Sequence, residues 1–311
     1  MTVYLQSKLL GITTACLVLR LVLNGTGQAQ DFTYTNINGT ITLTRYTGPG
    51  GGVTIPGTID GLAVTAIGDH VFYNLTNLVS VSLPESLVSI GEWAFAGCTN
   101  LTGITLGNNV ASISNWAFSG CSGLTRLTIP DSVTNIEDAP VGRAGVYGGV
   151  FWGCTSLTNV IVGKGLSYLG IGAFDACSNL LRVYFKGNAP TNSVYVDGPI
   201  WGPGLFLYGA SPTVYYLSGT TGWDSTYAGR PAVLWNPQIE TSNASFGVRP
   251  NGFGFSIAGS ADIPVVIEAC TNLAAWSWVP LQSCTLTNGL VYFGDPQWRN
   301  YPNRFYRIRS P

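Results

Sequence analysis

Cysteine, tryptophan and a single histidine are the residues whose chemistry invites a site in this chain. SIGEWAFAGC at 89–98 returns as SISNWAFSGC at 112–121, so a Trp and a Cys recur together 23 positions on. Cys98, Cys121, Cys154 and Cys177 stand in one series of phrases. Thiolates gathered at one point would hold a metal or a redox centre, which requires ligands that converge at fixed spacing. The sequence has no Cys-x-x-Cys, no His-Glu-x-x-His, no phosphate loop and no acidic calcium loop. His70 is the only histidine, and any Ser-His-Asp or Cys-His arrangement has to run through it. It lies between Asp69 and Val71 with no nucleophile-elbow motif nearby, and it reads as an exposed turn residue. A glycosidase needs two carboxylates flanking one cleft. Asp197 and Asp224 are the only such candidates near aromatic residues, which keeps a hydrolase as the weakest alternative. The reading is therefore a non-enzymatic chain with no cofactor and no metal.

The repetition itself points to architecture. Ile67, Ile90, Ile113 and Ile136 lie 23 apart, as do Phe72, Phe95 and Phe118, and Leu78, Leu101 and Leu124. The series jumps by 33 to Phe151 and Leu157, then resumes at 23 with Phe174 and Leu180, so one copy carries a 10-residue insertion between Ile136 and Phe151. Five copies are visible. Each contains Leu-x-x-apolar-x-apolar: LVSVSL, LTGITL, LTRLTI, LTNVIV and LLRVYF. Alternate side chains of a strand face opposite ways, so the apolar positions point inward. One short parallel strand per coil, followed by a return segment, is the logic of a leucine-rich repeat. A single coil cannot bury its apolar face, whereas stacked coils bury it continuously. The phenylalanines and the four cysteines then form two ladders along the stack, with Leu75 in the cysteine position of the first coil. Cysteines spread along an axis do not converge, and they read as buried free thiols. Disulfides between neighbouring rungs are disfavoured by the strand spacing.

Composition agrees. Charged residues make up only 9% of the 311, while 46% are hydrophobic and 12% aromatic, which suits turn-rich β structure. Residues 1–29 read as a signal peptide, with Lys8 in the n-region, an apolar run at 9–19, and Gly27 and Ala29 before the cleavage point. Removing Lys8 and Arg20 leaves 12 basic residues against 15 acidic, a net charge of −3, so a nucleic-acid partner is excluded. No later segment is long and apolar enough to predict a transmembrane helix. Export to the exterior or the cell surface follows.

The ends need caps. Residues 30–65 read as an N-terminal cap, with Asn38-Gly39 as a hairpin turn before a degenerate coil. The repeats occupy 66–190, and 191–236 read as an irregular closing cap in which Tyr215, Tyr216, Trp223 and Trp235 cover the last rung. Short alternating segments in 237–311 predict a small β-sandwich. Cys270 and Cys284 are a possible disulfide there, and NRFYRIRSP fits either a recognition tail or a last strand.

The stretch AIGDHVFYNLTNLVSVSLPESLVSIGEWAFAGCTNL resembles the repeats of BspA-type leucine-rich-repeat proteins of bacterial surfaces. The pattern is departed from at Ser114, Glu137, Gly107 and Gly163. The resemblance implies a secreted or surface solenoid that binds other proteins or surfaces, and it does not imply an enzyme. The outward strand positions then carry the candidates for partner binding: Arg126, Asn159, Ile161, Arg182 and Tyr184. A polysaccharide partner is the alternative, stacking on Trp201, Trp223 and Trp235 of the closing cap.

Overall fold

The computed structural model describes residues 31–138, 148–192, 205–206, 209, 211–250, 252–261 and 263–309. The expected signal peptide, residues 139–147 of the insertion, Asp197 and Trp201 lie outside them. The described residues up to 235 form a mainly β leucine-rich-repeat solenoid and those from 238 a second β unit, with three short 3-10 turns and no α-helix among the described residues.

Each coil places a strand on the face written Leu-x-x-apolar. Gly51–Thr54, Leu78–Ser82 and Gly103–Thr105 pair in parallel. Arg126–Ile129, Asn159–Val162 and Arg182–Phe185 continue the parallel order. The hydrogen-bonded ladder is interrupted between Gly103–Thr105 and Arg126–Ile129. A second parallel ladder runs through Leu62–Ile67, Ser89–Ile90, Ser112–Ile113, Asn135–Ile136, Tyr168–Leu169 and Thr191–Asn192. The third side is held by the Trp-Ala-Phe phrase. There the Phe95 amide donates to Ala117 O of the next coil at 2.7 Å, and the Phe151 amide donates to Ala173 O at 2.9 Å.

Inside, the expected phenylalanine ladder is present. Phe72, Phe95, Phe118, Phe151 and Phe174 stack successively with centroids 4.8, 5.1, 5.5 and 5.3 Å apart. All are at most 1% exposed. The turn that delivers each ring uses left-handed backbone twice. One series is His70, Trp93, Trp116 and Gly172, and the other is Asn74, Gly97, Gly120, Gly153 and Ala176, all with φ between 54° and 74°. Gly and Asn suit such a position, and an alanine does not.

The N-terminal end is closed by the expected hairpin. Phe32–Ile37 and Thr40–Tyr46 pair antiparallel around Asn38 (φ 51°) and Gly39 (φ 84°), the two positive φ values of a tight hairpin turn. Tyr46 packs on Phe72 at 5.1 Å and so covers the first rung. The degenerate coil uses its extra residues as a second small hairpin, Thr58–Ile59 against Leu62–Ala63.

The closing end corrects the expectation of an irregular cap. Thr213–Leu217 pairs in parallel with Arg182–Phe185, and Arg230–Trp235 pairs in parallel with Thr213–Leu217. The strand ladder therefore runs two strands past the last clear repeat, and Phe206 adds a further ring 6.1 Å from Phe174. Trp223 and Tyr227 close the stack on Phe185, and the Tyr227 hydroxyl donates to Pro190 O at 3.0 Å.

Residues 238–309 form two antiparallel sheets. One joins Gln238–Glu240 and Gly247–Arg249 to one side of Gly252–Ala258, with Leu290–Asp295 on the other. The second sets Pro264–Cys270 between Val279–Thr285 and Phe305–Arg309. The end sequence is thus a last strand, and its arginines are used internally. Glu268, only 3% exposed, accepts from Arg307 Nε at 2.7 Å and Arg309 Nε at 2.6 Å. Burial pushes the Glu268 carboxyl up, but the hydrogen bonds from Arg309 and Arg307 outweigh it and hold the group below its ordinary value. Arg304 pairs with Asp295 at 2.5 Å in the same way.

Two substitutions test this account by chemical denaturation. Phe151→Ala, in the middle of the ladder, is expected to cost about 3–5 kcal/mol. Ala176→Gly is expected to stabilise by about 1 kcal/mol, because it relieves a left-handed alanine at the position that other coils fill with glycine. Equal stability of Ala176→Gly and the parent would remove the turn argument.

Candidate functional site

The cysteine ladder is the first candidate to resolve. Cys98, Cys121, Cys154 and Cys177 are buried and free. Each thiol donates to the carbonyl of the phenylalanine one coil back: Cys98 Sγ to Phe72 O at 3.1 Å, Cys121 to Phe95 O at 3.2 Å, Cys154 to Phe118 O at 3.3 Å and Cys177 to Phe151 O at 3.2 Å. The thiol fills an apolar space and answers a backbone acceptor at once. Burial pushes Cys98 up to about 12 and raises Cys121. A hydrogen bond with Cys177, together with burial, raises Cys154 well above its ordinary value. The thiolate is the reactive form, so Cys98, Cys121 and Cys154 are chemically quiet at neutral pH.

Cys270 and Cys284 are not brought together. Cys284 faces Val265 across the strand pair, five positions along the strand from Cys270, which faces Phe305. That is about 16 Å along a strand, against the 4–7 Å a disulfide spans. Register decides against the expected bridge, and both are free.

His70 is exposed with φ 59°, and its ring lies against Tyr73 and Trp93. Trp93 and Trp116 are half-buried and stack on each other at 4.7 Å on the outside of the turn, apart from the inner ladder. Asp224 is exposed.

The outward face of the strand ladder divides along its length. Ser80, Ser82, Gly103, Thr105, Arg126 and Thr128 are exposed. Asn159, Ile161 and Arg182 are half-buried, and Tyr184 is 4% exposed. What covers Tyr184 and packs on Ile161 is the C-terminal unit. Tyr184 and Tyr215, stacked at 5.0 Å, join Phe255, Ile257, Val265, Ile267 and Phe293 in one apolar cluster, with Ile161, Val233 and Trp235 packed against it. Trp235 Nε1 donates to Pro264 O at 2.9 Å and ties the last solenoid strand to the neighbouring sheet.

Two expected partner-binding residues, Ile161 and Tyr184, are thereby taken up by the protein's own core, because Thr128, Ile161, Tyr184, Tyr215 and Val233 form one row in register and the row turns apolar from Ile161 onward. The signal was legible in that row. Of the glycan-stacking candidates, Trp201 lies outside the described residues and the other two are engaged in packing. Trp223 lies flat on Tyr216 at 5.1 Å inside the cap, and Trp235 sits at the junction.

What stays open is a groove of about 920 Å³ on the strand face. Ser80, Thr105, Thr125 and Thr128 supply hydroxyls, Arg126 and Lys186 supply charge, and Gly103 lies on the floor with nothing within 4 Å of where a Cβ would stand. Asp131, also in the groove, is engaged by Lys164 at 3.8 Å. The groove straddles the interruption in the strand ladder.

A parallel-strand solenoid with an open, hydroxylated strand face defines a leucine-rich-repeat protein. Residues 65–193 match the BspA type leucine rich repeat region in six copies, one more than the spacing alone reveals, and the repeat region of this chain belongs to that family. Among solved structures, a leucine-rich repeat protein of T. pallidum is 32% identical over 61% of this chain and 86% of its own, with a TM-score of 0.47. One from Bacteroides capillosus is 37% identical over 33% and 80%, with a TM-score of 0.31. A leucine rich cell surface protein of Faecalibacterium prausnitzii is 20% identical over 61% and 70%, with a TM-score of 0.34. No curated protein matches the chain. Among the described residues no helix is long and apolar enough to cross a membrane.

Two measurements check the site as built. Alkylation of the native protein at neutral pH is expected to label Cys284, which is half-buried, and to spare the four ladder thiols until denaturant is added. Tyr184→Phe removes a buried hydroxyl that has no hydrogen-bond partner among the described residues. It is expected to leave stability unchanged or raise it by about 1 kcal/mol, whereas Tyr184→Ala lowers the melting temperature.

Proposed function

We propose that the protein is an exported, non-enzymatic binding protein of the bacterial surface type, which recognises another protein or a surface through the open part of its strand face. The carrying observation is the division of that face. Six outward positions over three coils remain exposed around a groove, while Ile161 and Tyr184 of the later coils are taken up by the C-terminal unit. A binding surface needs accessible area with polar groups fixed on a rigid frame, and the short hydroxylated side chains of parallel strands provide it. The family supports the same reading, as does the expected signal peptide at residues 1–29. The polysaccharide reading through the cap is weakened by the engagement of Trp223 and Trp235 in packing.

Gly103 provides the test. A large side chain there meets open space, so Gly103→Trp is expected to keep the fold while obstructing the groove. Arrays of extracellular proteins and of polysaccharides are probed with parent and variant. Binding to a protein partner that drops by at least about tenfold, with an unchanged melting curve, supports the strand face. Undiminished binding by the variant sinks it.

A further inference from the structure

We infer that the open strand face takes an extended acidic protein segment that runs from the groove at Arg126 along the solenoid axis to Arg182, its carboxylates bridging the two arginines. This rests on the strand face being the binding surface, and it specifies the partner's chemistry.

Arg126, Asn159 and Arg182 are register partners on three successive parallel strands. At about 4.8 Å per strand, the two arginines stand about 10 Å apart along the solenoid axis, with an amide between them. Arg126 is exposed and lines the groove, and Arg182 is half-buried beyond the groove's lining residues. Neither forms an ion pair among the described residues, where the pairs are Lys164–Asp131, Arg304–Asp295 and the two arginines on Glu268. The arginines of the last strand are thus answered by carboxylates, and those of the row are not. Lys186 is the second cation of the groove beside Arg126, while its one acid, Asp131, already accepts from the Lys164 amide at 2.9 Å. A chain that is net acidic after its leader therefore concentrates unanswered positive charge on its open face.

The guanidinium fork matches carboxylate geometry and binds it in two-point fashion. A polyproline-type segment rises about 3.1 Å per residue, so a carboxylate at every third position recurs on one side about every 9 Å. That repeat fits the spacing of the two arginines. The groove is lined by hydroxyls and short aliphatic groups and has no aromatic ring among its lining residues, so it offers no platform for a sugar. This favours a protein segment over an acidic polysaccharide.

The test is titration of the purified protein with a synthetic peptide of Glu-Pro-Pro triplets, with Gln-Pro-Pro triplets and polygalacturonate as alternative probes. The Glu peptide is expected to bind about tenfold or more tightly than the Gln peptide, and to weaken as salt rises. Joint substitution Arg126→Gln and Arg182→Gln is expected to lower its affinity about tenfold, and joint substitution Arg126→Lys and Arg182→Lys to lower it less. Equal binding of Glu and Gln peptides, or indifference to the arginine pair, overturns the inference. Preference for polygalacturonate overturns the assignment to protein. In either case, loss of a protein partner in Gly103→Trp leaves the strand-face reading standing, so the two failures are distinguishable.

Discussion

Every coil of this protein depends on the next for burial. Phe95 has no interior of its own, and it is dry only because Phe72 lies on one face and Phe118 on the other. Stability in such a stack is a chain of nearest-neighbour interfaces, so the ladder must be continuous and its ends must be closed. The backbone enforces continuity through the ladder of short return strands and the amides of the phenylalanine turn, while the outer strand ladder is interrupted once, between Gly103–Thr105 and Arg126–Ile129. The left-handed positions in that turn are the local condition for aiming each ring inward. The cysteines belong to the same arrangement. Their thiols donate to carbonyls of the preceding coil, so a side chain that could have carried chemistry is consumed by packing.

The two ends are solved differently. At the start, a hairpin lays Tyr46 over the first ring. At the finish, the solenoid continues for two more strands and closes with Trp223 and Tyr227. Strand alternation then sends Tyr216 to one side, against Trp223, and its neighbour Tyr215 to the other. That second side is where the C-terminal sheets dock. The docking unit shares its core with the solenoid's outer face, so the two are energetically joined through Tyr184, Tyr215 and Trp235.

Functionally, the consequence is a division of one face into a covered half and an open half. The covered half is apolar in register, and the open half is hydroxylated and carries unpaired arginine. Rows running across the strands, rather than residues along them, are the units in which such a surface is built. The row Arg126, Asn159 and Arg182 and the row Thr128, Ile161 and Tyr184 lie on the same three strands, and only the second enters the apolar cluster of the C-terminal unit.

Much of this was readable in the chain itself. A spacing of 23 residues, the inward Leu-x-x-apolar-x-apolar strands, the phenylalanine rungs and the Asn38-Gly39 hairpin follow from short-range periodicity, because each repeat meets an identical environment. The same logic identified the ladder cysteines as structural. Beyond Phe185 the repeat loses its consensus while keeping its backbone ladder, since parallel pairing needs only strand geometry and the side chains of Thr213–Leu217 and Arg230–Trp235 have no repeat to copy. The fate of Tyr184, the register that separates Cys270 from Cys284, and the size of the open groove depend on contacts between residues distant in sequence. Periodicity reports the neighbours a residue has within its own repeat. Only the folded chain decides which other segment comes to lie across the face those repeats present.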